Sequence, residues 1–406
     1  MEKPIPIVWI MFDSLRKDVW DSTQNSVLSA WKERGCSFEN VVSQSGFTLL
    51  SCSSMWTGKF PQHCDINLLN PAANSVHSWL GKVDVPVRSL KQPTIFDNID
   101  NSQMVFRNGT TAWQFSAYVK RNIGQDLDRA ETLQSVLALI KADRLQDDGL
   151  LFLRIFDTHL PYGRSYSPLA HVYPHVHYPP MQLARRRAAE IAEAEGLESL
   201  VELQKVGFQT ALDQFVEPIL AALDQAYGSR YFLIAHSDHG EQFGTDYREI
   251  GHGRMHSREV LHVPLLFCGP GITPQTVLQR VGLVDLAPTI GELRSLGPNM
   301  LRGGDGLSLC PVLFRNGNLP RAERVFFHNN LSGGFSVIRG EFKITRSLLD
   351  PNPTFYRSFH ACDAEKVPAK HRNFLAQAWA SEIASHSAAF RQAGNRPAAR
   401  WAFHKI

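Results

Sequence analysis

A chain of 406 residues, 43% hydrophobic and 20% charged, can bury a large core and is not a disordered protein. Its net charge of +3 excludes the basic footprint of a nucleic-acid binder. Six scattered cysteines (Cys36, Cys52, Cys64, Cys268, Cys310, Cys362) with no C-x-x-C pair argue against a zinc ribbon or a disulfide framework and for a reducing, cytoplasmic setting.

Ile5–Phe12 is apolar on both faces, as a buried parallel strand requires. It stops at Asp13 with no small-residue cleavage site, so it reads as neither a leader nor a membrane span. A helix is expected over Ser22–Gly35 and a strand over Phe38–Val42. Gly46–Gly58 follows, reading after Thr48 as one short helix closed by Gly58 and Pro61. Thr48 could simply cap that helix. Taken alone the cap is the more common use of such a hydroxyl; the rest of the chain favours the other reading, a nucleophile at a helix N-terminus, where unpaired N–H groups suit a phosphate or sulfate.

Asn70–Gln92 reads as loop, Thr94–Asp100 as a short helix, Met104–Arg107 as a strand and Ala130–Ala142 as a helix. Leu150–Phe156 is a second core strand, ending in Asp157-Thr158-His159. Arg164–Pro180, rich in Tyr, Pro and His, reads as a surface loop or lid. His171, His175 and His177 within it could hold a metal, but no carboxylate or cysteine completes the set, so a metal-free lid is the better reading. Helices are expected over Gln182–Leu203 and Val206–Tyr227, a third core strand over Arg230–Ala235 and a fourth over Val263–Cys268. The third delivers His236-Ser237-Asp238-His239-Gly240-Glu241.

Strands alternating with helices predict an α/β fold, a mostly parallel central sheet with helices on both faces. Beyond residue 320 short alternating runs predict a small antiparallel sheet and a helix near Lys370–Phe390. The expected division is a catalytic α/β domain over 1–320 and a small α+β subdomain over 321–406. Asp13, Thr48, Asp238 and His239 all fall at the carboxyl edge of the sheet, where open α/β sheets bind ligands. Two carboxylates, an imidazole and a hydroxyl make a set for one divalent ion, whether Mn, Zn, Mg or Ca.

The sequence resembles the sulfatase-like branch of the alkaline phosphatase/sulfatase superfamily. The resemblance is carried by Ile7–Arg16, Gly35–Asn40, Thr48–Pro61, Ser237–Glu241, Gly251–Arg254, Val263–Leu266 and Asp285–Thr289. It implies an alkaline-phosphatase-like fold and hydrolysis or transfer at a small-molecule phosphate or sulfate ester. Two departures bear on the chemistry. Counting back from Thr57-Gly58, the first position of the sulfatase motif C/S-x-P/A-x-R falls on Thr48 and its arginine on Cys52. Threonine cannot become formylglycine, and the pattern through Ser51 and Met55 is similar to phosphoethanolamine transferases and lipoteichoic acid synthases, which use an unmodified threonine. The second departure is Ser14, where sulfatases usually carry a second aspartate.

The resemblance places His159 and His252 near the transferred group, as anion binder or acid, with Arg254 as an anion clamp and Ser51 in the substrate site. A phosphoester hydrolase or phosphotransferase using Thr48 is the leading expectation. A sulfatase lacking formylglycine and a silent binding protein are the alternatives.

Overall fold

The computed structural model describes residues 5–64, 93–107, 123–127, 129–145, 148–160, 162, 181–243, 250–253, 256–296, 303–315, 317, 319, 324–329, 335–340, 342–346, 354–356, 373–374, 377–378 and 381. The strands in chain order begin with β1 Ile7–Phe12, β2 Cys36–Phe38, β3 Val41–Val42, β4 Ser102–Arg107, β5 Ile123–Leu127 and β6 Leu150–Ile155. Then come β7 Phe232–Ser237, β8 Gln242–Phe243, β9 Ile250–Gly251, β10 Leu265–Cys268, β11 Gln275–Val277 and β12 Val281–Gly282. The last four, β13 Val325–Asn329, β14 Phe335–Arg339, β15 Phe342–Arg346 and β16 Thr354–Tyr356, form an antiparallel sheet of their own.

The main sheet has eight strands in the order β11-β2-β10-β7-β1-β6-β4-β5. β1 lies at its centre, parallel to β6 on one side and β7 on the other. Alternate side chains of β1 enter opposite cores. Trp9 and Met11 pack with Cys52, Met55 and Trp56 of helix α3 (Thr48–Thr57, which follows α1 Lys17–Ser22 and α2 Ser26–Arg34) and with Leu286 and Ile290. Val8, Ile10 and Phe12 pack with Trp20 and Trp31 and with Phe208, Phe215 and Leu223. Helices therefore cover both faces, which is why the strand is apolar throughout.

β10 runs antiparallel to both neighbours, so the sheet is mixed rather than wholly parallel. The expected Ser22–Gly35 helix begins at Ser26, where the Asn25 side chain accepts from the Val27 and Leu28 N–H groups. A separate short helix, Lys17–Ser22, precedes it. The expected Phe38–Val42 strand divides: Cys36–Phe38 joins the main sheet, whereas Val41–Val42 pairs with β12. The helical pair before β7 is cut at Gly196 into Met181–Glu195 and Glu198–Ala211. The chain continues through a π-turn, Leu212–Val216, into Glu217–Tyr227. Pro218 has no N–H to return to residue 214, which accounts for the irregular turn.

The Asn70–Gln92 loop and the Arg164–Pro180 lid lie outside the described residues, and so does most of the expected terminal helix.

Candidate active site

The register of β1 against β7 pairs Phe12 with Ser237, so the next residues, Asp13 and Asp238, leave the sheet side by side. Asp13, Asp238 and His239 are fully buried, and one ligand atom from each lies within 4.8 Å of the others. Ser14 takes a left-handed backbone (φ 61°), rare without glycine, which turns its N–H onto Asp238 Oδ1 at 3.1 Å. The His239 N–H also donates to Oδ1, at 3.0 Å, while Oδ2 accepts no hydrogen bond. His239 Nδ1 donates to the Gly240 carbonyl at 2.9 Å, which leaves the Nε2 lone pair facing inward. An acceptor-only carboxylate oxygen and an inward imidazole lone pair fit one divalent ion.

Thr48 opens α3 rather than capping it. The N-cap is Phe47, which offers no side-chain bond, and the Thr48 hydroxyl instead donates to His239 Nε2 at 3.1 Å. Thr48 is 8% exposed, whereas Asp13, Asp238 and His239 are fully buried.

Ser51 proves to be a support. Its hydroxyl donates to the Asp238 carbonyl at 2.7 Å, and Ser43 Oγ donates to the same oxygen at 2.6 Å. It is fully buried and braces the loop after β7. Gly240 is fixed by space: a Cβ there would sit 1.8 Å from the Glu259 carbonyl.

The structure brings both candidate histidines to this cluster. The His252 ring lies 4.4 Å from that of His239 and 4.9 Å from that of His159, centroid to centroid. His159 stacks on Phe156 at 4.1 Å, donates from Nδ1 to the Leu160 carbonyl, and brings Nε2 to 4.0 Å from Asp13 Oδ1. Burial pushes the His159 pKa down to about 4 despite the neighbouring Asp13, so the ring is neutral at pH 7. His252 donates from Nδ1 to Glu241 Oε1 at 2.9 Å. Arg254 lies outside the described residues.

Asp13 and Asp238 are pushed apart as acids. Burial would raise Asp13, but Arg154 and then the nearby histidines outweigh it and hold the carboxyl well below the usual range. Burial, and then the charge of Asp13, push Asp238 up to about 6. Burial and Asp238 also push the Cys52 thiol well up, which leaves it inert.

Sequence reasoning missed three residues. Glu241 orients His252 and was signalled only by its place two residues after His239. Gln204 donates to the carbonyls of Ser14 and Thr158 and accepts from the Arg16 N–H, tying two site loops together; nothing in its helix marks it. Arg154, whose Nε donates to Asp13 Oδ2 at 2.7 Å, was signalled by being the one charge in an apolar strand.

The family model described as Sulfatase matches residues 6–295. The choline-sulfatase of Rhizobium meliloti (strain 1021) is 29% identical over 124 residues, a stretch that spans 29% of this chain and 23% of that protein. Among solved structures, a Bacteroides thetaiotaomicron VPI-5482 protein named provisionally as a sulfatase superposes with a TM-score of 0.68 at 17% identity, covering 96% of this chain and 94% of the other. The phosphonate monoester hydrolase of Silicibacter pomeroyi superposes with a TM-score of 0.62 at 15% identity, covering 94% of this chain and 95% of the other. At these identities the structural likeness concerns the fold.

Proposed function

The chain belongs to the sulfatase family, and on that premise we propose that it is a metal-dependent hydrolase or transferase of small phosphate esters with Thr48 as the nucleophile. One observation carries the reading. The residue that opens α3 beside the carboxylate–imidazole cluster is a threonine whose Oγ1 lies 3.1 Å from His239 Nε2.

Asp13, Asp238, His239 and Thr48 would hold one divalent ion, whose identity among Mn, Zn, Mg and Ca the oxygen and imidazole donors leave open. When bound, such an ion lowers the pKa of a hydroxyl and draws charge from phosphoryl oxygens. Thr48 Oγ1 would give up its proton to solvent and form a bond to phosphorus as the bond to the leaving oxygen breaks, so that the chain carries a phosphothreonine. The β-branch of Thr48 limits its rotamers, so little freedom is lost in aiming the oxygen. His159, whose Nδ1–H is held by the Leu160 carbonyl, would donate to a non-bridging oxygen only from Nε2, by taking up a second proton as the anionic ester arrives. His252, oriented by Glu241, is suited to protonate the leaving oxygen. Water or an alcohol must finally attack phosphorus, because a threonine ester, unlike a formylglycine hydrate, cannot expel its group by collapsing to an aldehyde.

A sulfate-ester reading is favoured by the choline-sulfatase match, although that match spans under a quarter of the relative. The loss of one acidic ligand position to Ser14 supports phosphate instead, since the less negative site suits the more highly charged ester. We keep the division at residue 320 as part of the proposal. It is supported by the separate β13–β16 sheet, which is anchored where Arg324 clasps Asp285 through both carboxylate oxygens and where Phe326 and Ile338 pack on Val42 and Phe60. A cytoplasmic setting is supported by the five cysteines among the described residues, all of them free and buried. Among the described residues, no helix is long and apolar enough to cross a membrane.

The test is direct. Purified protein loaded in turn with each metal is assayed on matched aryl phosphate monoesters, diesters, phosphonates and sulfates, and quenched turnover mixtures are digested and searched for phosphate on Thr48. Sulfate esters as the best substrates, with no phosphothreonine formed, would overturn the proposal.

A further inference from the structure

We propose that Arg154 is a cation built into the metal site, which keeps Asp13 and Asp238 assembled without metal and weakens the site's hold on the ion; this rests on the metal reading above. Arg154 lies in β6, where Leu150, Leu151, Phe152, Leu153 and Ile155 are all apolar and buried, and it is itself 3% exposed. Its Nε and Nη2 both donate to one oxygen, Asp13 Oδ2, and its guanidinium lies 4.9 Å from the Phe156 ring centroid. The other oxygen, Oδ1, is 3.0 Å from Ser14 Oγ. A buried charge in an apolar strand is costly unless paired, and here its partner is a candidate metal ligand.

The guanidinium also rises from an informative place. Cys52 of α3, at the position of the sulfatase-motif arginine, brings its Sγ to 3.8 Å from Met11 Sδ. Met11 is the register partner of Arg154 on the neighbouring strand. The cation absent from the helix therefore arrives from the sheet, on the strand next to the residue that Cys52 touches.

Two consequences follow from the charges. Asp13 and Asp238 together carry −2, and Arg154 supplies +1, so the ligand set is tolerable before any ion arrives. The same fixed charge stands against the carboxylate that an arriving divalent ion must share, so it opposes binding by Coulomb repulsion in a dry site.

The experiment compares wild type, Arg154→Gln and Arg154→Lys as full chains, chelated with EDTA and dialysed at pH 8. Mn²⁺ affinity is measured by calorimetry, and thermal unfolding is followed with and without Mn²⁺. Arg154→Gln should bind Mn²⁺ at least ~10-fold more tightly than wild type, since a repulsive unit charge a few ångströms away is worth that much or more. Its gain in Tm on adding Mn²⁺ should exceed that of wild type. Arg154→Lys, which keeps the charge, should bind within ~3-fold of wild type. Equal or weaker Mn²⁺ binding by Arg154→Gln would overturn the role of Arg154 alone. No Mn²⁺ uptake by any of the three would overturn the metal reading itself. If Arg154→Gln fails to fold even with Mn²⁺, Arg154→Lys decides: tightening by 10-fold or more despite the retained charge refutes the proposal.

Discussion

Removing the Thr48 hydroxyl should separate chemistry from folding. In the structure that hydroxyl makes one hydrogen bond, to His239 Nε2 at 3.1 Å, at a residue 8% exposed. Losing such a bond costs roughly 1 kcal/mol, and alanine in the first turn of α3 returns about half of that through helix propensity. Thr48→Ala should therefore lower the urea midpoint only slightly and leave Mn²⁺ uptake through Asp13, Asp238 and His239 in place. Turnover should suffer far more. Without the nucleophile the covalent route is closed, and kcat/KM on an aryl phosphate should fall about 10³-fold or more, equivalent to ~4 kcal/mol of barrier. Thr48→Ser keeps the oxygen but frees its rotamer, and should fall between the two. The assay is steady-state kinetics on the three proteins, with urea titrations beside it. Near-full activity in Thr48→Ala would show that water attacks directly and would refute the covalent reading.

His252→Ala should slow an alkyl phosphoester far more than a nitrophenyl one, within the ~10²–10⁴-fold range of acid catalysis, whereas His159→Ala should slow both about equally. Equal losses for His252→Ala on the two substrates would leave it an anion binder. Exhaustive chelation should abolish turnover and a divalent metal should restore it; activity that survives chelation, with no residual metal by elemental analysis, would exclude a metal role. Acid should destabilise the fold. Burial lowers His236 to about 4 and His256 to about 3, while the unfolded chain binds these protons near 6.5. Stability from these neutral rings is thus complete above about pH 6.5 and lost as pH falls towards 4, on the order of 2 kcal/mol per ring by pH 5. A urea midpoint unchanged between pH 7 and pH 5 would contradict that account.

The strands legible in the sequence were those whose residues are apolar on both faces, because a central parallel strand has no polar side to hide. β1 follows that rule residue by residue and β6 follows it at every position but Arg154, and the polar residue directly after β1, Asp13, leads into the candidate site. The direction of β10 was not legible, because a buried strand looks the same whether it runs parallel or antiparallel. Nor was the break after Ala211, where only Pro218 hinted at irregularity in an otherwise periodic helix. At the site, residues that face the cluster were found from the ends of the strands. Those that support it were not. Gln204 sits on a helix distant in sequence and acts through backbone carbonyls, a partnership with no local pattern.

The supports have a common chemistry that bears on how the site can work. Ser43 and Ser51 hold the Asp238 carbonyl, Thr158 holds the Asp13 carbonyl, and Gln204 holds those of Ser14 and Thr158. All four side chains are neutral, so they fix the loops without adding charge that would compete for the carboxylates. Charge enters the assembly at two separate places instead. Arg154 meets Asp13 from the sheet, and Glu241 meets His252, whose ring packs on that of His239. A cation placed at the ligand steadies the resting site, whereas an anion placed behind an imidazole favours a proton on it. In the proposed mechanism the leaving group would therefore take its proton from His252, the imidazole backed by a carboxylate. A substrate oriented with its leaving oxygen towards His252 and its phosphorus at Thr48 meets both requirements at once.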